Sequence, residues 1–309
     1  MARRSPLLLL LLLVTATWRT TPVQGAGVNG LSRDYYRDSC PQLEEMVRQA
    51  VVDEHLRHHF VSAPLLRLHF HDCFVQGCDG SVLLRSTPGN EAEMDAPPNM
   101  SLHGFDLIDR IKTAVEHTCP GVVSCADIVA LAAREGVRIA GGPYIATQLG
   151  RRDSRASKAS LAARVLPGHR MSMSDLLHNF AAANLTLLDL VTLSGAHTIG
   201  KASCMTVAHR IAPNRDPSMA GPLRELLNGQ CRAPNVDGKI HVPLDSSSGS
   251  RFDNHALTMD ARTRQLVDRF ASDRESFFRQ FRESMVRMGA AGVLTGAQGE
   301  IRRTCSAVN

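Results

Sequence analysis

The chain has 309 residues, 43% of them hydrophobic and 21% charged, a composition ordinary for a soluble globule and a length that can bury one large core. The formal net charge of +5 includes Arg3, Arg4 and Arg19 of an N-terminal leader without acids, so without residues 1–25 it falls by three, to +2. With no clustered basic patch and only ten Phe and three Tyr, this composition excludes a nucleic-acid-binding footprint.

The predicted elements begin with that leader. Arg3 and Arg4 precede Pro6 and the apolar run from Leu7 to Val14, and Val23-Gln24-Gly25 offers small residues for cleavage, so residues 1–25 read as a signal peptide too short to span a bilayer. No later segment approaches a membrane span. Helical spacing of apolar residues then predicts helices over Leu43–Phe60, Pro64–Phe74, Phe105–Cys119, Cys125–Ala140, Met173–Ala183, Leu187–Leu193, Lys201–Ile211 and Ser276–Met288. Strand-like alternation is scarce. Gly141-Gly142-Pro143 and Leu166-Pro167-Gly168 break the helical pattern, and no internal repeat is visible. Eight cysteines behind a secretory leader favour four disulfides, with 105 pairings open in principle.

Two segments carry the chemistry. In the second predicted helix Arg67, Phe70 and His71 fall at i, i+3 and i+4, so a permanent cation, an aromatic ring and an imidazole project together. Read alone, such a face is more often that of a packed helix. The run Leu190 to Gly200 changes the balance, because it presents His197 beside Gly195 and Ala196, whose small side chains leave room for a flat group. Two histidines of these kinds suit the two faces of a haem ligated on one side only. A zinc site of His71, Cys73 and Cys78 is the competitor, but it needs thiolates in a compartment that oxidises them. A metal-dependent hydrolase fits the single residues but not their grouping.

From about Tyr35 to Asn309 the chain resembles the secreted plant haem peroxidases. The motifs, in the family's order, are Asp38-Ser39-Cys40-Pro41, Arg67 to Cys73, Val123 to Asp127, Leu149 to Ser154, Leu193 to Thr198 and Arg287-Met288-Gly289. The resemblance implies a mainly α, two-lobed fold with haem b between the lobes. It also implies the bridges Cys40–Cys119, Cys73–Cys78, Cys125–Cys305 and Cys204–Cys231. His71 would be the acid–base catalyst, Arg67 would stabilise charge as the O–O bond breaks, and His197 would be the axial iron ligand. Asn99 would accept from His71 and be held by Glu93, with Phe70 beside them.

Two calcium ions are implied as well. The first would use Asp72, Asp79 and Ser81 with the carbonyls of Val75 and Gly77, and the second Thr198, Asp245, Ser248, Asp253 and the Arg251 carbonyl. Pro167 stands where the family lines the haem edge and would offer its carbonyl to a phenol; His169 replaces a second proline common there. Asp127 and Arg151 would form a buried structural pair. Asn99-Met100-Ser101 and Asn184-Leu185-Thr186 are both glycosylation sequons, and the buried role of Asn99 makes Asn184 the better acceptor.

One departure is consequential. After Phe252-Asp253-Asn254 the family has an aromatic pair, a helix and a further stretch before the equivalent of Leu257 to Thr263, so roughly twenty residues are absent here, against the family pattern. The missing stretch carries the aspartate that accepts from the axial histidine. Clean edges on both sides favour a splice or gene-model omission over attenuated turnover or a compensating carboxylate. The expectation is one haem peroxidase domain over residues 26–309, monomeric and extracellular in the apoplast or cell wall, acting on hydrogen peroxide and phenolic donors without nucleic-acid or membrane partners. The alternative is a non-catalytic haem-binding wall protein.

Overall fold

Eleven α-helices and two short strands build the described part of the chain, which in this computed structural model comprises residues 30–168, 171–211, 221–231, 240–244 and 261–309. The leader, His169 and the residues from Asp245 to Asp260, with four of the second calcium set and the Asn254 junction, lie outside the described residues.

Helix α1 (Leu43–Arg57) buries Leu43, Val47 and Val51 at successive i+4 steps, with Glu44 and Glu45 in its first turn and Arg57 in its last, as the helix dipole favours. Helix α2 (Ser62–Val75) is buried along most of its length, and α3 (Phe105–Thr118) buries Leu107, Ile108, Ile111 and Val115. Helix α4 (Cys125–Ile139) is buried from Cys125 to Val137 and starts on Ser124, whose hydroxyl accepts from the Asp127 amide at 3.1 Å. The Asp153 carboxylate accepts from the amides of Cys125 and Ala126 at 3.1 and 2.9 Å, placing an anion at the α4 N-terminus.

Next come α5 (Ala159–Val165), α6 (Met173–Ala182) and α7 (Leu187–Ser194), the last two opened by capping boxes Ser172/Asp175 and Thr186/Asp189. A 3₁₀ turn, Gly195–Thr198, continues α7. The expected helix over Lys201–Ile211 is replaced by β1 (Lys201–Ser203), the four-residue α8 (Cys204–Val207) and a 3₁₀ turn; β1 pairs antiparallel with β2 (His241–Pro243). That strand is fixed by a partner some forty residues away, which helical periodicity does not register. Helices α9 (Gly221–Gln230) and α10 (Ala261–Ser272), like α5, were not expected, and α11 (Arg274–Gly289) extends the helix expected from Ser276.

The apolar side chains form two large cores that meet at α2. One gathers α1, α3 and α4 around Leu65, Leu68, Ile108, Ile128 and Leu131, and the other gathers α6, α7, α10 and α11 around Phe74, Phe180, Val191, Phe277 and Phe281. Leu65 and Leu68 face the first core while Leu66 and Phe74 face the second. A small third core surrounds the Cys204–Cys231 bridge with Ile211, Leu227 and Val242. All eight cysteines are paired, in the four combinations the resemblance implied. No single helix among the described residues is long and apolar enough to cross a membrane.

The loop after α2 doubles back so tightly that Gly77, at φ +127°, has the Gly292 carbonyl oxygen 2.1 Å from where a Cβ would sit. Gly77→Ala is therefore expected to destabilise the protein by about 3 kcal/mol, through backbone strain plus overpacking. Gly89→Ala, also at positive φ but in open space, should cost clearly less in the same denaturant titration.

His69 is buried on α2 beside Cys73, and burial together with the nearby Arg151 charge holds its pKa down at about 3 from an ordinary 6.5. The unfolded chain thus binds a proton that the folded chain refuses between those two values, and stability falls as pH drops from 6.5 toward 3. Replacing His69 with Gln should remove up to about 1.4 kcal/mol per pH unit from that slope, measured by denaturant unfolding at stepped pH.

Candidate active site

Helix α2 carries Arg67, Phe70 and His71 on one face, as the spacing predicts, and the loop from Glu93 to Ser101 closes over them. His71 is 6% exposed and its Nδ1 lies 2.6 Å from Asn99 Oδ1, while Asn99 Nδ2 donates to the Glu93 backbone carbonyl at 2.7 Å. On the other side of the ring Arg67 Nε donates to His71 Nε2 at 3.2 Å. A carbonyl only accepts and a guanidinium only donates, so the chain of contacts assigns every proton. Asn99 must present its oxygen to His71, the ring hydrogen sits on Nδ1, and Nε2 keeps its lone pair. Burial, then the Arg67 charge, lowers the His71 pKa to about 4 against the opposing Asn99 bond, so the imidazole is neutral.

The sequence reading held Asn99 by a glutamate, and the structure refines this. Only the Glu93 main chain holds Asn99; its carboxylate accepts from Gln76 Nε2 at 3.2 Å. A residue that sequence reasoning missed is Ser101, whose carbonyl and hydroxyl accept from Arg67 Nη1 at 2.9 and 3.0 Å. Pro98 offers its carbonyl to Nη2 at 3.0 Å, so the guanidinium is fixed on three sides. The only signal in the sequence was that Ser101 lies near Asn99.

Below α2 the loop clamped by Cys73–Cys78 concentrates buried oxygen. Asp72 accepts the Gly80 amide at 3.1 Å through one oxygen, and its other oxygen and the Ser81 hydroxyl are buried without a hydrogen-bond partner. Asp79 accepts the Ser81 amide at 3.0 Å. Burial raises all three carboxyl groups here, Asp72 well above its usual value, Asp79 to about 6 and Glu93 to about 8. Orphaned hard oxygens and clustered carboxylates of this kind fit a calcium ion, with the Val75 and Gly77 carbonyls in the same loop. The zinc alternative is not supported. The sulfurs of Cys73 and Cys78 are joined to each other, and the histidine beside them is His69 rather than His71.

His197 stands in the 3₁₀ turn after α7, exposed, with buried Gly195 and Thr198 around it. Its Nδ1 lies 2.9 Å from the Ser194 carbonyl, which accepts only, so Nδ1 carries a hydrogen. Phe70 from α2 and Ala196 beside His197 border the same apolar core. Two imidazoles, each with Nδ1 engaged by an oxygen acceptor, and small or apolar neighbours are a donor set that fits haem.

Thr198 is buried, but Asp245, Ser248, Arg251 and Asp253 of the second calcium set lie outside the described residues. Pro167 is half-buried just after α5. Asp127 and Arg151 form the expected buried pair, at 2.7 Å, with the Tyr36 hydroxyl donating to the same carboxylate at 2.8 Å. Asn99 is 2% exposed, whereas Asn184 is exposed with φ +57°.

A sequence model of the family described as Peroxidase matches residues 45–274. Peroxidase 63 of Arabidopsis thaliana is 39% identical over 302 residues, covering 92% of both chains. Peroxidase 71 of Arabidopsis thaliana is 42% identical over 314 residues, covering 95% of this chain and 93% of the relative. Peroxidase 1 of Oryza sativa subsp. japonica is 40% identical over 331 residues and 99% of both, an alignment longer than the 309 residues of this chain and therefore gapped within it. With the His71–Asn99 contact and the anchored Arg67 already in place, these likenesses extend over nearly the whole sequence, and the chain belongs to the peroxidase family.

Proposed function

We propose that this chain is a secreted haem peroxidase whose distal base is His71 and whose axial ligand is His197, reducing hydrogen peroxide to water at the expense of two phenolic donors. The observation that carries the reading is the committed His71 ring, with its hydrogen on Asn99 and its lone pair beside the Arg67 guanidinium. Haem, held through His197, would supply the redox-active iron and the electrons needed for O–O cleavage.

The side chains do the rest. His71 Nε2 takes the proton from one peroxide oxygen and returns it to the other, which then leaves as water. A base that stays neutral down to about pH 4 is ready for this at physiological pH. Arg67, fixed by Ser101 and Pro98, faces the negative charge that develops on the departing oxygen without having to reorganise. Each phenol then gives one electron and one proton, and two of them complete the second water. Pro167 is assigned to the donor entrance, its carbonyl accepting from the phenolic hydroxyl.

Asp72, Asp79, Ser81, Val75 and Gly77 are assigned to one calcium ion, which would neutralise a group of carboxylates otherwise costly to bury together. Thr198, Asp245, Ser248, Arg251 and Asp253 are assigned to a second ion beside His197. Secretion rests on the leader and the fully paired cysteines, a monomeric domain on residues 26–309, and glycan attachment on exposed Asn184. The intact distal constellation favours catalysis over a purely haem-binding role. The gap in the alignment with the rice relative agrees with a segment missing from this sequence, and transcript sequencing across Asn254 and His255 decides between an omission and a true deletion.

Haem-loaded protein is expected to show a Soret band and to oxidise guaiacol only with peroxide. His71→Ala should keep the band and slow the peroxide step by about 10²–10⁴-fold in stopped flow. A colourless protein after incubation with hemin, or an unimpaired His71→Ala, overturns the reading. Calcium stripping with EGTA should lower the thermal midpoint, and calcium at a hundred times its Kd should restore about 2.7 kcal/mol by differential calorimetry.

A further inference from the structure

We infer that His55 and His59, at the C-terminal end of α1, form a surface site for a divalent transition-metal ion, with Cu(II) the ion held most tightly. The site is independent of the haem and calcium assignments above.

Its geometry comes from the way α1 ends. The helix stops at Arg57, and His58 leaves helical geometry at φ −137° and ψ 87° while its amide still donates to the Glu54 carbonyl at 2.7 Å. The Val61 amide then donates to the His58 carbonyl at 3.1 Å, so the backbone on both sides of His59 is tied down. This turn brings the His59 ring back against His55, with ring centres 5.5 Å apart and ring planes at 74°. His59 is exposed, while His55 is half-buried and its Nδ1 is covered with no hydrogen-bond partner among the described residues.

Two imidazole nitrogens each about 2.1 Å from one ion place their ring centres roughly 5 Å apart. The observed separation is close to that, and rotation of the exposed His59 side chain turns a ring nitrogen toward the shared point. Imidazole suits zinc, nickel and copper, and the affinity order of the divalent ions peaks at copper. Water would fill the remaining positions, which makes the site open and weaker than a closed four-ligand centre. His58 does not belong to the pair. Its Nε2 faces the Glu54 carboxylate at 3.8 Å, and that carboxylate is also held by Arg110 and, at 3.6 Å, by Arg57. A neighbouring histidine thus serves as an internal control.

The test is a Cu(II) titration of the mature, oxidised, haem-loaded chain, followed by calorimetry and by electron paramagnetic resonance, in which nitrogen couplings count the bound imidazoles. One ion per chain with two coupled imidazole nitrogens is expected. His55→Gln and His59→Gln should each weaken binding by about tenfold or more, because losing one of two tethered ligands removes the chelate. His58→Gln should leave the affinity unchanged, and all three variants should keep the wild-type thermal midpoint, so that loss of binding is not loss of fold. Should His55→Gln fail to fold, the exposed His59→Gln decides alone. Equal affinity in His59→Gln and the wild type, an equal loss in His58→Gln, or a single coupled nitrogen in the wild type means an adventitious ion only and overturns the inference. The comparison is between variants, so it stands whether or not haem occupies His197.

Discussion

The 2.6 Å contact between His71 Nδ1 and Asn99 Oδ1 is selective because the atoms beyond it are constrained as well. Asn99 cannot turn its amide, since the nitrogen is spent on a backbone carbonyl that only accepts, and His71 cannot move its hydrogen to Nε2, since Arg67 approaches there as a donor. Remove the asparagine and Arg67 alone is left to disfavour the tautomer with its hydrogen on Nε2. The orientation of the base is thus set by a main-chain carbonyl two hydrogen bonds away from the ring.

That geometry is rigid because of where α2 lies. The helix contributes Leu65 and Leu68 to one core and Leu66 and Phe74 to the other, so its rotation about its own axis is fixed from two directions. The face left over is the one that carries Arg67, Phe70 and His71. The Cys73–Cys78 bridge and the close approach of Gly77 to Gly292 then tie its C-terminal end, so the carboxylate-rich loop is held in register with the imidazole one residue before it. His197 is placed differently, on a short turn at the end of α7 with its Nδ1 on the Ser194 carbonyl.

Much of this was legible in the sequence and some was not, for identifiable reasons. The α2 face was readable because helical spacing is periodic and polar residues on an apolar helix stand out. The disulfide pairs, the Asn99 partner and the Asp127–Arg151 pair came from motifs shared with a family rather than from spacing. Helix α10 is hard to read although Thr263, Leu266, Val267 and Phe270 mark one face at helical intervals, because Arg262, Arg264, Asp268 and Arg269 dilute its apolar pattern. The segment after Lys201 was misread as one helix because a three-residue strand has no period of its own. Ser101 and the main-chain role of Glu93 were invisible, as both act largely through backbone carbonyls, which every residue has.

Asn99 has a second chemical future. The nitrogen it donates to Glu93 is the atom an oligosaccharide would take at the Asn99-Met100-Ser101 sequon, and although a glycosylated amide keeps one N–H, a side chain only 2% exposed leaves no room for the sugar. In a glycosylating compartment the outcome is a race between collapse of this loop onto α2 and the transferase. A sugar on Asn99 would stand where the His71 ring is oriented, so the buried position of this side chain and its place in the site go together.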